Sequence, residues 1–503
     1  MPPTGLHDGA RLRHGTAALG AVGVGAIAWY LVTSLQRLGY PYELTYFEGS
    51  TIEVAARVES GEPLYGPPTT TFTPWPYPPL YFWITGAAAK VLGLELPTMR
   101  LVSFAASLAV LGLLAAIVYR AGGSRTAAVV AAGLYAATHR VSGAFADTAR
   151  VDSLLLALLL GSVLLGMRVR TWKGGIGLGA LLLLSFLAKQ NAVIVAVPML
   201  AFLILRRRSV GVAATVTLGG GLVASTLVGN LLTDGWYARY VIEQLPSQAW
   251  TLEWLWAFWW RDLLLPFAVG MVVVAALVVV VRRSGGGPSW SLLRGEGGYL
   301  VACAAGLVVA SWAARLHEGG YANVAMPAQA ALAGALGLAL AGWLRSGRRT
   351  GRAGVVLAAL LAAQVVLLTF WQLNIVPSPS DREAGDRFIA ELRALPGTVL
   401  VPTHPYYLRM AGRPTHASSI AINDVLKSSG GASRLTGVLP WSLDGVSAVV
   451  LDNATDVNMF GPQLSRDFTL VTATLVPDGQ FLPQTDLPTH PSMLYVRTSE
   501  LSR

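Results

Sequence analysis

The sequence predicts a polytopic α-helical membrane protein that carries a small α/β domain at its C-terminal end. Three observations predict it. First, 53% of the 503 residues are hydrophobic and only 13% are charged, against about 25% charged in a soluble domain, and the mean hydropathy is +0.54. Second, apolar runs of bilayer-crossing length recur along the chain, separated by short Arg-rich clusters. Third, after residue 378 the pattern changes to one amphipathic helix and several short β-branched runs. The net charge of +10 sits in the clusters between apolar runs, which is how membrane topology is written. It does not line one solvated face, so nucleic acid is excluded as a partner and the lipid bilayer is expected. The single cysteine, Cys303, lies in an apolar run, which excludes an intrachain disulfide and a cysteine-based metal site.

Candidate spans fall at 15–35, 100–119, 126–144, 153–167, 174–188, 191–205, 210–232, 263–281, 298–314, 323–343 and 353–374. Each is close to the roughly 20 residues that cross a bilayer, which gives about eleven transmembrane helices. The first lacks a small-residue cleavage site and reads as a retained signal anchor. The two short runs flanking Lys189 read equally as two spans or as one broken helix. Basic clusters occupy alternate loops: Arg11 and Arg13, Arg120 and Arg125, Arg168 to Lys173, Arg206 to Arg208, Arg282 to Arg294, and Arg345 to Arg352. The intervening loops hold acids such as Glu43, Glu48, Glu53, Asp147, Asp234 and Glu318. The positive-inside rule then sets a cytoplasmic N-terminus and an extracytoplasmic C-terminal domain in the plasma membrane. Counting 77–93 as a span would reverse every later loop. It reads instead as an interfacial helix of the first outer loop, with Tyr77, Tyr81, Phe82 and Trp83 in an aromatic belt. The tryptophan-rich loop 233–262 reads as a second interfacial mantle.

Ser378-Pro379-Ser380-Asp381 ends the last span. Residues 381–395 place Phe388, Ile389 and Leu392 on one helical face, and 399–401, 448–451, 469–471 and 493–496 read as strands. The division is a membrane domain over 1–377 and an α/β domain over 378–503.

The first outer loop, Tyr40 to Gly49, sets Glu43 and Glu48 in front of the aromatic, proline-stiffened stretch Tyr77 to Trp83. A carboxylate there can take a proton from an attacking hydroxyl, or it is simply a solvated loop acid. Arg150 and Asp152 stand at a span end, since a charge at a helix centre costs about 2.5–3.5 kcal/mol. The planar fork of Arg150 suits a phosphate; the alternative is an ion pair between the two. Lys189, with Gln190 and Asn191, is expensive between apolar runs unless it lines a cavity; the alternative is a turn whose lysine snorkels. Arg315 offers the same choice between phosphate ligand and interfacial anchor. His317 and Glu318 share an outer loop without a metal-site spacing. His404 and His416 lack that spacing too, the glycines 219–221 lie inside a span, and no phosphate-cradling glycine loop precedes a Lys-Ser/Thr pair.

In order along the chain stand Phe47-Glu48-Gly49, Gly61-Glu62-Pro63-Leu64-Tyr65, Tyr77-Pro78-Pro79-Leu80-Tyr81, Ala149-Arg150-Val151-Asp152-Ser153, Phe186 to Asn191, and Gly319 to Asn323 before Met326-Pro327. This series resembles the C-type membrane glycosyltransferase superfamily, and is similar to its bacterial proteins of the glycosyltransferase family 39 kind, over roughly residues 15–345. The resemblance implies an inverting transfer of a hexose or pentose from a polyprenyl-phosphate donor to a glycan, lipid or protein of the cell envelope. It implies a first-loop carboxylate as catalytic base. The family's Asp-Glu pair is replaced here by Phe47-Glu48, so Glu48 and Glu43 both stand for that role. It implies that Asp152 orients the acceptor or holds a divalent cation, the one cofactor it allows. Arg150, Lys189 and Arg315 then bind the donor phosphate, and Tyr77, Tyr81, His317 and Asn323 contact substrate. All of these precede residue 330, so the C-terminal domain is expected to serve acceptor choice and not chemistry. The rival classes are a transporter or flippase of lipid-linked saccharides, which commonly shows paired repeats that this sequence lacks, and a non-catalytic envelope assembly protein, which has no need of such loops.

Overall fold

The computed structural model describes residues 5–283, 295–345, 352–370, 375–477, 479–485 and 489–501. The chain opens with α1 (Gly5–Leu38), the first-loop helices α2 (Glu48–Ser60) and α3 (Leu80–Leu92), then α4 (Leu96–Gly122), α5 (Arg125–Ala137), α6 (Asp152–Arg168), α7 (Trp172–Ala188), α8 (Ala192–Arg206) and α9 (Arg208–Leu232). Longer helices follow at Leu265–Arg283, Glu296–Leu316, Met326–Arg345 and Arg352–Thr369. A helix therefore stands at each expected span. By length and composition, six segments are able to cross a membrane among the described residues: Thr16–Leu38, Leu96–Gly122, Arg208–Leu232, Trp254–Ala276, Glu296–Leu316 and Ala322–Arg345. The other apolar helices are shorter.

One expected span ends early. The run over 126–144 is helical only to Ala137. Beyond it the Thr138 and Ser142 hydroxyls bond back to the carbonyls of Tyr135 and His139, and Gly143 takes φ +75°. Hydroxyl side chains that offer the backbone a local partner compete with the helix. The result is a folded turn over 138–151 that delivers Arg150 to the start of α6.

The Arg-rich loops gather at one end of the bundle. Arg120 pairs with Glu296 at 3.3 Å, Arg170 donates to Met167 O at 2.8 Å, and Arg207 donates to Gly166 O at 2.8 Å. The last two cap the C-terminus of α6, where a cation is favoured by the helix dipole. Arg294, Arg348, Arg349 and residues 371–374 of the last expected span lie outside the described residues. The opposite end carries α2, α3, the 138–151 turn, the Lys189–Asn191 turn and the 317–325 loop. Trp250, Trp256, Trp259 and Trp260 are exposed there, as an interfacial mantle requires.

The C-terminal part begins with the helix Pro379–Ala394, whose start is fixed by a capping box between Ser378 and Asp381. Strands β1 (Thr398–Leu400), β2 (Val446–Leu451), β3 (Phe468–Thr472) and β4 (Met493–Arg497) form one sheet in the order β1-β2-β4-β3. β1 runs parallel to β2, and the other pairs are antiparallel. This part is fastened to the first loop. Arg409 meets Glu53 at 2.6 Å, Ala417 N donates to Thr70 O at 2.9 Å, and Tyr42, Ile52 and Met99 share one apolar cluster with Phe388, Val401 and Tyr407.

Candidate active site

A cavity of about 500 Å³ opens at the bundle end opposite the Arg-rich loops. Tyr77, Arg150, Lys189, Gln190, Asn191 and Asn323 line it from the membrane helices. Thr403, Asn423, Asp424, Lys427, Asp452 and Asp456 line it from the C-terminal part.

The helix side is built on Asp152, the first residue of α6. Its Oδ1 lies 2.7 Å from Lys189 Nζ, its Oδ2 accepts from Asn323 Nδ2 at 3.0 Å, and Oδ2 lies 3.4 Å from Arg150 Nε. Lys189 caps the end of α7, and Asn323 sits in a short 3-10 turn, Ala322–Ala325. One buried carboxylate thus ties together the ends of three elements. Two cations share it, which leaves this wall with an excess of positive charge. The Arg150 guanidinium lies over the rings of Phe47 and Phe145 at 4.3 and 4.9 Å, and Lys189 Nζ lies 5.5 Å from the Tyr77 ring centre. Gln190 is held by its amide nitrogen on Pro76 O at 2.8 Å. The buried oxygens Gln190 Oε1, Asn191 Oδ1 and Asn323 Oδ1 have no protein partner among the described residues. Buried acceptors of this kind are costly unless a ligand or water donates to them.

Five of the expected site residues therefore stand on the cavity wall: Arg150, Lys189, Tyr77, His317 and Asn323. The others do not. Glu48 has no exposed surface, and Arg100 grips both its oxygens at 2.8 and 2.6 Å. The amides of Leu44 and Ala149 donate to the same carboxylate at 2.7 and 2.8 Å. Four donors thus hold this carboxylate, and it does not line the cavity. Phe47, its neighbour, is the one that faces the cavity. Glu43 is also buried, with Oε2 2.5 Å from His404 Nδ1. Burial pushes its carboxyl up to about 7, against the pull of His404. Tyr81 is enclosed, its hydroxyl bonded to Ser103 Oγ at 2.9 Å and Met99 O at 3.2 Å; it holds α3 on α4 and does not line this cavity. Arg315 pairs with Asp262 at 2.9 Å, covers Trp254 at 3.4 Å and donates to Gly320 O. Asp152 has both oxygens committed to cations and an amide, so it does not fit a divalent ion, and no group of three or more His, Cys, Asp or Glu among the described residues could hold one.

The sequence reading passed over Arg100 and the cavity acids of the C-terminal part. Arg100 carried a signal: a charge at the head of an apolar run demands a buried partner. Asp424, Asp452 and Asp456 carried none, since they come from separate loops. Burial pushes Asp424 up to about 7 against the pull of Lys427. Burial, with the Asp452 charge adding to it, pushes Asp456 up to about 6. The C-terminal part, expected to serve acceptor choice, supplies about a third of the residues that line the cavity.

Residues 76–232 match the family model described as dolichyl-phosphate-mannose-protein mannosyltransferase. No curated protein matches the sequence. The fold is similar to the crystal structure of ArnT from Cupriavidus metallidurans in the apo state, with TM-score 0.60 and 14% identity over 96% of this chain and 99% of that one. The same protein bound to undecaprenyl phosphate matches with TM-score 0.56 and 14% identity over 96% and 98% of the two chains.

Proposed function

We propose that this multi-pass membrane protein, which has the fold of the C-type membrane glycosyltransferases, moves a sugar from a polyprenyl-phosphate donor to a cell-envelope acceptor outside the cytoplasm. The observation that carries this reading is a single cavity lined by Arg150 and Lys189 from the bundle and by Asp424, Asp452 and Asp456 from the C-terminal part. Arg150 and Lys189 receive the donor phosphate, and Asp152 orients both. The oxygens of Gln190, Asn191 and Asn323 accept from the sugar hydroxyls. The acceptor enters from the C-terminal side. Its oxygen attacks the anomeric carbon from the face opposite the phosphate, and the bond from that carbon to the phosphate oxygen breaks with inversion. Charge then grows on the departing polyprenyl phosphate, beside cations already in place for it. Preorganised charge of this kind lowers a barrier because nothing must reorient during reaction. The undecaprenyl phosphate bound by ArnT supports the donor class. The Arg-rich loops at the far end support an outward-facing cavity, by the positive-inside rule.

The test is a transfer assay on purified protein in lipid, with undecaprenyl-phosphate-linked hexoses and pentoses as donors. Lys189→Met is expected to lower kcat by about 10²–10³, the typical loss when one electrostatic stabiliser is removed. A protein that carries these donors across a vesicle membrane while forming no product is a flippase and contradicts the reading.

A further inference from the structure

We propose that Asp452 is the base that takes the acceptor proton, and that His404 and Glu43 are the positioning residues that aim it. The assignment rests on the transferase reading above. A base in this cavity must line it together with Arg150 and Lys189, keep one oxygen without a protein partner, and be held still. Neither first-loop acid meets these terms: Glu48 is closed in by Arg100, and Glu43 does not reach the wall. Of the cavity acids, Glu318 is exposed and paired with Lys427 at 2.9 Å. Asp456 takes the Asn453 amide at 3.2 Å. Asp424 lies half-buried on the short helix Ser419–Leu426.

Asp452 differs from all of these. It directly follows β2, a strand whose residues are all buried, so its backbone starts from a rigid platform. Its side chain is 4% exposed and lies on the cavity wall. Oδ2 is 3.1 Å from His404 Nε2. Oδ1 is buried and has no protein partner among the described residues. His404 in turn has Nδ1 2.5 Å from Glu43 Oε2, and its ring stacks on Tyr407 with centres 5.2 Å apart. Burial opposes the imidazolium, but the Asp452 and Glu43 carboxylates outweigh it and push His404 up to about 10. The ring is therefore a double donor near neutral pH, one N–H to each carboxylate.

The result is a continuous line, Glu43–His404–Asp452, from the first loop to the cavity. It gives the loop acid a part in the chemistry without contact with substrate. In the step itself, the acceptor oxygen bonds to the anomeric carbon and its proton passes to Asp452 Oδ1. The bond from that carbon to the phosphate oxygen breaks, and polyprenyl phosphate leaves with the electron pair. The protonated Asp452 then loses its proton to water, and the site is restored. His404 keeps its protons throughout.

Transfer kinetics in lipid nanodiscs test this, with the undecaprenyl-phosphate sugar that the wild type uses best. Binding of undecaprenyl phosphate alone serves as the measure of folded protein. Asp452→Asn is expected to lower kcat by about 10²–10⁴, the usual worth of general base catalysis, with unchanged undecaprenyl phosphate binding. Asp424→Asn and Asp456→Asn are expected to lose less. Glu43→Ala should lower kcat at constant donor KM, and Glu43→Gln, which keeps a hydrogen bond to the ring, should recover part of it. A residue that only supports the fold would change the folded fraction and leave kcat per folded molecule alone. If Asp452→Asn does not fold, Asp452→Ala with added formate reads the same point. Restored turnover supports the assignment, and no restoration in a variant that binds undecaprenyl phosphate overturns it. Wild-type kcat in Asp452→Asn also overturns it while leaving the transferase reading intact. A wild type that binds undecaprenyl phosphate and transfers nothing removes the transferase reading, and the base assignment with it.

Discussion

Glu48 and Arg100 show why a charged residue in a motif is not yet a charged residue at a site. Both are fully buried, joined at 2.6 Å, and Arg100 further donates to Tyr42 O at 2.5 Å and to Tyr40 O. The pair locks the first loop onto α4. Removing one partner leaves the other charge uncompensated, which costs about 3–5 kcal/mol. Glu48→Ala and Arg100→Ala should therefore lower the unfolding temperature of the purified protein sharply. A Glu48→Gln variant that unfolds at the wild-type temperature yet transfers nothing returns the base to Glu48. Sequence placed the helix-side cations well for a physical reason. Lys189, Gln190 and Asn191 interrupt an apolar run, and such residues have only a cavity or an interface to go to. Arg315 and Tyr81 do not line the cavity, and their partners decide where they sit. Asp262 is 53 positions from Arg315, and whether Tyr81 faces solvent or α4 depends on how α3 docks.

At the scale of elements, apolar length and β-branched runs were enough to place the long helices and all four strands, but not the short helices of the C-terminal part. The early end of α5 was not visible, because apolar content continues past Ala137 while the hydroxyls of Thr138 and Ser142 redirect the backbone. The sheet order was not visible either, since β3 and β4 pair across a long connection. Helix crossings are set by small residues. A Cβ on Gly133 of α5 would strike the carbonyl of Gly23 in α1, and one on Gly23 would lie 2.9 Å from Val129 O. Such closeness is how membrane helices pack. Gly133→Leu should destabilise the protein by about 1–3 kcal/mol or more, as overpacking does. Thermal unfolding in detergent at the wild-type temperature would show that α1 and α5 do not cross there.

For the whole molecule, the main lesson is that the cavity belongs to two halves of the chain. Arg150 and Lys189 come from the bundle, and Asp424, Asp452 and Asp456 come from the C-terminal part. Motif reading found the first group because a resemblance covered it, and missed the second because no pattern marks acids gathered from separate loops. Orientation is open to direct test. In a Cys303→Ala background, an impermeant maleimide should label Glu318→Cys at the cavity rim in intact cells. It should leave Arg206→Cys, at the Arg-rich end, unmodified until the membrane is opened. The opposite pattern would put the cavity in the cytoplasm. On the proposed function, this cavity holds a polyprenyl phosphate headgroup. An experimental structure of the protein in nanodiscs with undecaprenyl phosphate tests it most directly. Phosphate density is expected beside Lys189 and Arg150, with Asp452 facing it across the cavity. Phosphate density at the Arg-rich end, with the cavity unfilled, would contradict it.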